Sequence, residues 1–570
     1  MGTFKRRAPR IRWVSNFGVV GAVVVVLALA CNSDSRKVSP KLFIAPFTQP
    51  PTASSQGGII VRADKLDFLR EIRPDLLDSE LEDVPATAFV VGRLSSSDTD
   101  QATGKSTLSD DLLVFESQSR SLLSVNLCPD ASRATCGQVR LNYSKAGLDE
   151  AQGGGGVISS DVKPLQLKNG WLLAFDSSSK NILGFREERP RPVSDDIDGD
   201  GTEETRLVPY RSPVRANGTV NTDSKNFGRG NGLFLSVVIS GEELADQLSL
   251  PTEPVVSRMV EIEENKILLF FTTGTIVRAV HLLEVAEEPV TVDFDLDEPL
   301  RPSERLEVQQ LRGQIHLFPD AFLTYRRISE TVTGSQDLQI DVFQPVVIPD
   351  PSHDDPDPGL VLAYDSLSSN FFVIGVGRNP AGEILGGTVG NAMRQSDLID
   401  VLQNEAGATS VSLPLVVRSG FSRVNEKGKA EVVFYEEKSR TILQYDPKAP
   451  IGDNVRVFVD SAALLFRRDP RGKPVTGQSN PVLDFATDDV NLNRLAFEES
   501  LDQLVSISYT SGVVVVVADV DEIGLATNDT LAEINYIEPL DDKNVRAFDQ
   551  RSTSLVEFKL EYAAFPVNVD

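Results

Sequence analysis

LVLAYDSLSSNFFVI (360–374) is an apolar run that ends in an aromatic residue and is followed at once by an acid, a polar turn and a second apolar run. Two strand-like runs joined by a short Ser-rich turn read as a β-hairpin. The pattern occurs six more times, as LLVFESQSRSLLSV (112–125), WLLAFDSSSKNILGF (171–185), ILLFFTTGTIVRAV (267–280), VVFYEEKSRTILQY (432–445), RLAFEESLDQLVSI (494–507) and VRAFDQRSTSLVEF (545–558). In six copies the aromatic precedes an acid: Phe115-Glu116, Phe175-Asp176, Tyr364-Asp365, Tyr435-Glu436, Phe497-Glu498 and Phe548-Asp549. The third copy, Phe271-Thr272, departs from this rule. In the same six, an apolar or aromatic residue stands ten positions after the aromatic, at Val125, Phe185, Ile374, Tyr445, Ile507 and Phe558. A repeated hairpin is a repeated supersecondary unit, so the chain is expected to be an array.

Further strand-like segments flank the hairpins. Upstream lie KPLQLKNG (163–170), VSRMVEIEEN (256–265), PLVVRSGFSRV (414–424) and EINYIEPLDD (533–542); downstream lie VRLNYSKAGL (139–148), LSVVISGEEL (235–244), VRVFVDSAAL (455–464) and VVVVVADVDEI (513–523). Four sequential antiparallel strands per repeat make the blade of a β-propeller, an all-β fold. IIVRADKLDFL (59–69) matches the fourth-strand pattern without a hairpin before it. The expectation is therefore a propeller of seven blades over residues 58–570, closed by an N-terminal strand that completes the last blade. Hairpin starts are 51 to 96 residues apart, so insertions are expected, the largest at 187–232 and 297–340. QIHLFPDAFLTYRR (314–327), in the second, offers a degenerate eighth hairpin, and a pair of β-sandwiches is the competing architecture. The aromatic is expected to pack between blades and the following carboxylate to accept backbone N–H groups of the turn.

The N-terminus carries an address. Lys5, Arg6, Arg7, Arg10 and Arg12 precede FGVVGAVVVVLALA (17–30), an apolar run too short to span a bilayer comfortably, and Cys31 follows directly. Ala28, Leu29, Ala30 and Cys31 resemble a bacterial lipoprotein signal, which implies cleavage after residue 30 and lipidation of Cys31. Asn32, by the same resemblance, implies the outer membrane of a Gram-negative envelope. A non-cleaved anchor and ordinary cleavage with a free thiol are the alternatives. Residues 31–57, rich in Ser, Pro, Gln and Thr, read as a flexible tether. Cys128 and Cys136 are then expected to form a disulfide in an oxidising compartment.

The chain has 56 basic and 83 acidic residues among 570, a net charge of −27. Loss of residues 1–30 removes five basic residues and no acidic ones, taking the charge to −32. A phosphate backbone would be repelled, which argues against a nucleic-acid partner.

One motif suggests a cation. DIDGDGTEE (196–204) alternates Asp196, Asp198 and Asp200, bends at Gly201, and adds Glu204 and the carbonyl of Thr202, an oxygen-rich set suited to Ca²⁺. It resembles the calcium loops in hairpins of integrin-type propellers. His353, Asp354, Asp355 and Asp357 form a second acidic loop that reads as solvated. His281 and His316 have apolar neighbours, and only three histidines occur, which argues against Ser-His-Asp hydrolysis. Trp171 reads as blade packing and Gly153–Gly156 as a linker. Arg258, Arg418 and Arg423 fall in candidate inner strands, where they could face an anionic ligand.

The expected function is a surface-tethered envelope lipoprotein, held to the membrane by its lipid and presenting a non-catalytic propeller to a protein or glycan. The competing expectation is an envelope hydrolase or lactonase that uses acids and a divalent cation. A third is an assembly subunit.

Overall fold

The computed structural model describes residues 58–65, 88–99, 106–126, 139–188, 191–195, 204–208, 232–273, 276–292, 306–316, 323–324, 340–346, 360–381, 384–405, 411–424, 430–436, 438–439, 441–459, 483–490, 493–498, 503–508, 514–519, 534–539, 544–549 and 553–560.

The chain is all-β and almost wholly antiparallel. After β1 (Gly58–Lys65), the first sheet is a meander of β2 (Ala88–Thr99), β3 (Ser106–Glu116), β4 (Ser121–Asn126) and β5 (Val139–Tyr143). The second comprises β6 (Leu165–Gln166), β7 (Leu172–Phe175) and β8 (Ile182–Glu188). A separate hairpin, β9 (Arg191–Asp195) with β10 (Glu204–Val208), intervenes before β11 (Gly232–Ile239) returns to pair with β8. One parallel bridge, Ser96 to Glu187, links these two sheets. The third sheet runs β12 (Val255–Glu263), β13 (Lys266–Thr273), β14 (Ile276–Val292) and β15 (Leu306–Ile315), with the short β16 (Leu323–Thr324) also on β14. Then follow β17 (Ile340–Val346), β18 (Leu360–Asp365), β19 (Asn370–Arg378) and β20 (Ile384–Met393). The fifth sheet is β21 (Val417–Val424), β22 (Ala430–Glu436), β23 (Thr441–Tyr445) and β24 (Val455–Val459). The sixth is β25 (Leu483–Val490), β26 (Asn493–Glu498), β27 (Gln503–Ser508) and β28 (Val514–Asp519). The last sheet joins β29 (Ile534–Pro539), β30 (Asn544–Asp549) and β31 (Ser554–Leu560) to β1, which pairs antiparallel with β31 from Gly58↔Leu560 to Lys65↔Ser554.

Among the described residues, the stretch 314–327 makes no hairpin of its own. Gln314 and Ile315 end β15 and Leu323–Thr324 form β16, and both strands add to β14. β14 is 17 residues long, which leaves room for both partners along one edge.

Strand alternation explains the stacking of the sheets, because successive side chains point to opposite faces and both faces are apolar. In the fourth sheet Leu362 and Tyr364 pack on the fifth, with Val432, Phe434 and Leu443, while Val361 and Ala363 pack back on Leu268, Phe270 and Leu282 of the third. Leu173 and Phe175 of the second sheet face the third, and Leu172 and Ala174 face the first. Leu112 and Val114 of the first sheet share a core with Phe548 and Leu555 of the last.

Among the described residues, three helices follow fourth strands. α1 (Lys145–Gln152) is capped by Ser144, α2 (Gly241–Gln247) by a Ser240–Glu243 capping box, and α3 (Gln395–Asn404) by Asp397, which accepts the N–H of Arg394. The tails of the segments at 139–148 and 235–244 are therefore helical rather than extended. Each helix lies over the outer strand of the next sheet. Leu148 joins the core beside Leu233 of β11, Gln247 accepts the N–H of Ile315 in β15 at 2.8 Å, and Glu405, just past α3, accepts that of Val457 in β24 at 3.0 Å. The Gly153–Gly156 linker turns the chain out of α1 with four consecutive positive φ angles, a path that L side chains rarely follow.

Candidate functional site

The recurring acids are built into the turns. In the described hairpins with an acid, the aromatic at position i pairs with residue i+7 and the acid with i+6, as in Tyr364↔Phe371 and Asp365↔Asn370. The same register holds for Phe115↔Leu122, Tyr435↔Ile442, Phe497↔Leu504 and Phe548↔Leu555. A four-residue turn results. Its last residue takes a left-handed conformation at Arg120, Lys180, Ser369 and Thr553, with φ of 54, 58, 57 and 52°. Such a turn points N–H groups inward, and the acid receives them. Glu116 accepts from Gln118 and Ser119 at 3.2 and 2.7 Å, Asp176 from Ser178 and Ser179 at 2.8 and 3.0 Å, Asp365 from Leu367 and Ser368 at 3.3 and 3.1 Å, and Glu436 from Ser439 at 2.7 Å. All four carboxylates, and that of Asp549, are buried.

Two of these acids also hold the chain arriving from the preceding sheet. Asp176 accepts the N–H of Val157 at 2.9 Å and Glu436 that of Val416 at 2.8 Å. The residue after the turn extends the link, since Asn181 accepts the N–H of Gly241 at the start of α2 and Asn370 that of Gln395 at the start of α3. These carboxylates fasten backbone and are not aimed at a ligand.

The third copy shows why it lacks an acid. A bulge follows Phe271, and Thr272↔Val277 and Thr273↔Ile276 close a shorter turn. By the face it presents, Phe270 is the counterpart of the other aromatics, packing on the fourth sheet, while Phe271 turns back to the second. Phe271 meets the buried His281 edge-on at 5.2 Å, and burial lowers the His281 pKa to about 4.

A charged cluster, buried at Arg186 and Glu188, joins the second and third sheets. Arg186 stacks 4.4 Å over Trp171 and pairs with Glu188 at 2.8 Å and Glu287 at 3.0 Å, and the Trp171 indole donates to Glu287 at 2.8 Å. Trp171 thus packs between sheets, as its place in the sequence suggested. Nearby, the β12–β13 turn joins the β6–β7 turn through Lys168 N–H to Glu261 at 2.9 Å and Asn169 to Asn265 at 2.7 Å. Burial raises the pKa of Glu261. Burial also disfavours the charge on Glu263, but hydrogen bonds from Lys266 and Arg378 outweigh it and hold that carboxyl below its usual value.

A groove of about 600 Å³ opens between α2, the β12–β13 turn and strands β14 and β15. Its lining is mixed, with Glu264, Glu284 and Glu288 beside Lys266 and Arg312. Nothing in it forms a nucleophile–base pair.

Of the residues singled out from sequence, Cys31, Cys128, Cys136, Asp196, Asp198, Asp200 and Thr202 lie outside the described residues, as do His353, Asp354, Asp355 and Asp357. Glu204 opens β10 opposite Asp195, so residues 196–203 join the two strands of a hairpin. His316 lies 3.9 Å from Glu284. Arg258 donates to the carbonyls of Asp161 and Ser257, both at 2.9 Å, and thereby braces backbone. Arg418 and Arg423 fall in β21. Among the described residues no group of three or more His, Cys, Asp or Glu side chains could hold a metal, and no helix is long and apolar enough to cross a membrane.

Sequence reasoning missed the helices and the buried Arg186-Glu187-Glu188 run. Ser240 and Glu243, three apart, are a readable capping box. Three consecutive charges in a strand give no such signal, because they read as an exposed edge.

No protein family matches the chain, and no curated protein does. Among solved structures it is similar to the β-propeller domain of Myceliophteria thermophila Cps50 (Swd1), with 8% identity, 88% of this chain and 100% of that one covered, and a TM-score of 0.34. It is similar also to YCF48 from Cyanidioschyzon merolae (10% identity, 83% and 99% covered, TM-score 0.34) and to the Chaetomium thermophilum Nup170 NTD–Nup53 complex (9%, 90% and 63%, 0.38). Scores this low carry no argument, and the fold is read from the chain's own strand pairing.

Proposed function

We propose that the chain is a closed β-propeller of seven blades, β1 completing the last, that serves as a non-catalytic scaffold tethered to a bacterial envelope. The packing of the first sheet on the last, through Leu112, Val114, Phe548 and Leu555, supports closure. The observation that carries the non-catalytic reading is the commitment of the recurring carboxylates to backbone N–H groups. A ring of reactive acids would instead leave oxygens free for substrate. Function then falls to the connections, which present a surface to a protein or glycan.

In this reading residues 1–30 are removed, Cys31 carries lipid at the outer membrane, and residues 31–57 form the tether. Cys128 and Cys136 form a disulfide in the periplasm or outside. Asp196, Asp198, Asp200, Thr202 and Glu204 take one Ca²⁺, and the antiparallel flanks of their loop, Asp195 opposite Glu204, support this by bringing its ends together.

Two experiments test the proposal. Feeding cells an alkyne fatty acid should label the full chain and not Cys31→Ser, and the variant should leave the membrane fraction. Lack of label on the native chain overturns the tether. The purified calcium-loaded chain should turn over no lactone, ester or glycoside; saturable turnover would favour the hydrolase.

A further inference from the structure

We infer that the ring is held with one side to the bilayer, the side on which β1 begins, and that its carboxylate-fastened turns face away from the membrane. The inference rests on the lipid tether proposed above. Strand order sets the two sides. In the fourth sheet the pairs Ile340↔Asp365, Asp365↔Asn370 and Phe371↔Met393 gather the start of β17, the β18–β19 turn and the end of β20 on one side, the fastened side. Val346↔Leu360 and Arg378↔Ile384 gather the other strand ends on the far side. The first, fifth and sixth sheets repeat the arrangement, with Ala88↔Glu116, Val417↔Glu436 and Leu483↔Glu498 on their fastened sides.

Neighbouring sheets keep like sides together. On the far side Asn169 of the β6–β7 turn donates to Asn265 of the β12–β13 turn at 2.7 Å, and Arg378 at the end of β19 pairs with Glu263 at the end of β12. On the fastened side Asp176 and Glu436 hold the incoming chain, and the Ser369 hydroxyl accepts the N–H of Leu415 at 2.9 Å. Ala88, opposite Glu116, shares a core with Phe548 and Leu555, which flank the fastened turn of the last sheet. In that sheet Lys65 pairs with Ser554, just past the turn, and Gly58 with Leu560. The chain therefore enters the ring at Gly58 on the far side.

The length of the tether turns this entry point into an orientation. Residues 31–57 number 27, and a flexible chain of that length has an end-to-end distance of about 26–31 Å. β1 has eight residues and is about 26 Å long. To bring the fastened side to the membrane, the tether would have to run back along a blade edge of that length and exhaust its reach. With the far side down it spans the gap directly. Membrane-embedded components then meet the far side, and soluble ones meet the fastened turns and the connections that carry α1, α2 and α3.

Resonance energy transfer to a vesicle surface tests this. The full lipidated chain is reconstituted on phosphatidylcholine vesicles that carry an acceptor-labelled lipid, with a donor dye on one introduced cysteine at an exposed position. Glu264→Cys and Ala381→Cys report the far side; Gln118→Cys and Leu367→Cys report the fastened side. The native chain carried through the same labelling gives the background from Cys128 and Cys136. Transfer should be stronger from the first pair, which should lie nearer the lipid by roughly 20 Å, the length of the six-residue β18. Equal transfer from the two pairs, or stronger transfer from Gln118→Cys and Leu367→Cys, overturns the inference and leaves the tether standing. A chain that does not float with the vesicles overturns the tether and the inference together.

Discussion

Asp176 Oδ2 accepts the backbone N–H of Val157 at 2.9 Å, joining the turn of the second sheet to the chain that arrives from the first. Gln152 of α1 donates to the same oxygen at 2.8 Å, and Oδ1 takes the N–H groups of Ser178 and Ser179. One buried carboxylate thus fixes a turn, a helix end and an incoming strand.

Asp176→Asn should therefore cost roughly 2–3 kcal/mol, since hydrogen bonds to a charged acceptor are the stronger kind and an amide presents a single oxygen. The urea midpoint should fall with little change in slope. An unmoved midpoint would contradict the fastening role.

The left-handed turn residue offers the opposite change. Arg120 holds φ at 54°. Glycine there relieves about 1–2 kcal/mol of backbone strain and gives back part of it as unfolded-state entropy, so Arg120→Gly should stabilise by roughly 0.5–1 kcal/mol. A higher melting temperature is the readout, and a lower one counts against the strain.

Acid should act through His281. Its folded pKa of about 4 lies below the ordinary 6.5, so the unfolded chain takes up a proton first as pH falls. Stability is lost between about pH 6.5 and 4, by up to about 3 kcal/mol. Glu261 works the other way, because its raised pKa makes protonation favour the folded state. Comparing melting temperatures of the native chain and His281→Leu across this range isolates the histidine: the variant should show the shallower acid slope.

Removal of Arg186 takes an ion-pair partner from two acids, of which Glu188 is the buried one. Arg186→Met leaves Glu188 buried without its 2.8 Å partner and should cost roughly 3–5 kcal/mol. Glu188→Gln added to it should recover part of that loss, which denaturant titration of the single and double variants would show.

For the proposed calcium loop, saturation at a hundredfold excess over the dissociation constant adds about 2.7 kcal/mol. Thermal melts of the native chain should rise with Ca²⁺, while Asp198→Asn with Asp200→Asn should not respond. A flat native titration to millimolar calcium removes the site.

The hairpins were legible because one local pattern sets both the alternation and the turn. Tyr364-Asp365 and its counterparts announce the strand end, and the residue ten positions on lies opposite the one three before the aromatic, as in Val361↔Ile374. The pairing of β1 with β31 followed from a strand without a hairpin. What stayed hidden is set by tertiary contact. Glu187 and Glu188 are buried by neighbours far along the chain, and Trp171 finds Glu287 across a sheet boundary. The third copy misled by one position, since FF leaves open which ring faces forward, and only the bulge after Phe271 decides it. At 314–327, apolar alternation could not distinguish a new hairpin from extra partners for β14.

The register Lys65↔Ser554 sets an order of events in synthesis. β1 leaves the ribosome well before β31 and has to wait for it. Contacts so distant in sequence form slowly, because the intervening loop must close before they contribute. The intervening sheets can condense on one another while β1 and the last sheet remain unfinished. A chain truncated before Ser554 would keep a ready N-terminal strand with no mate, and that orphan would be the segment exposed to capture by proteases or by other copies.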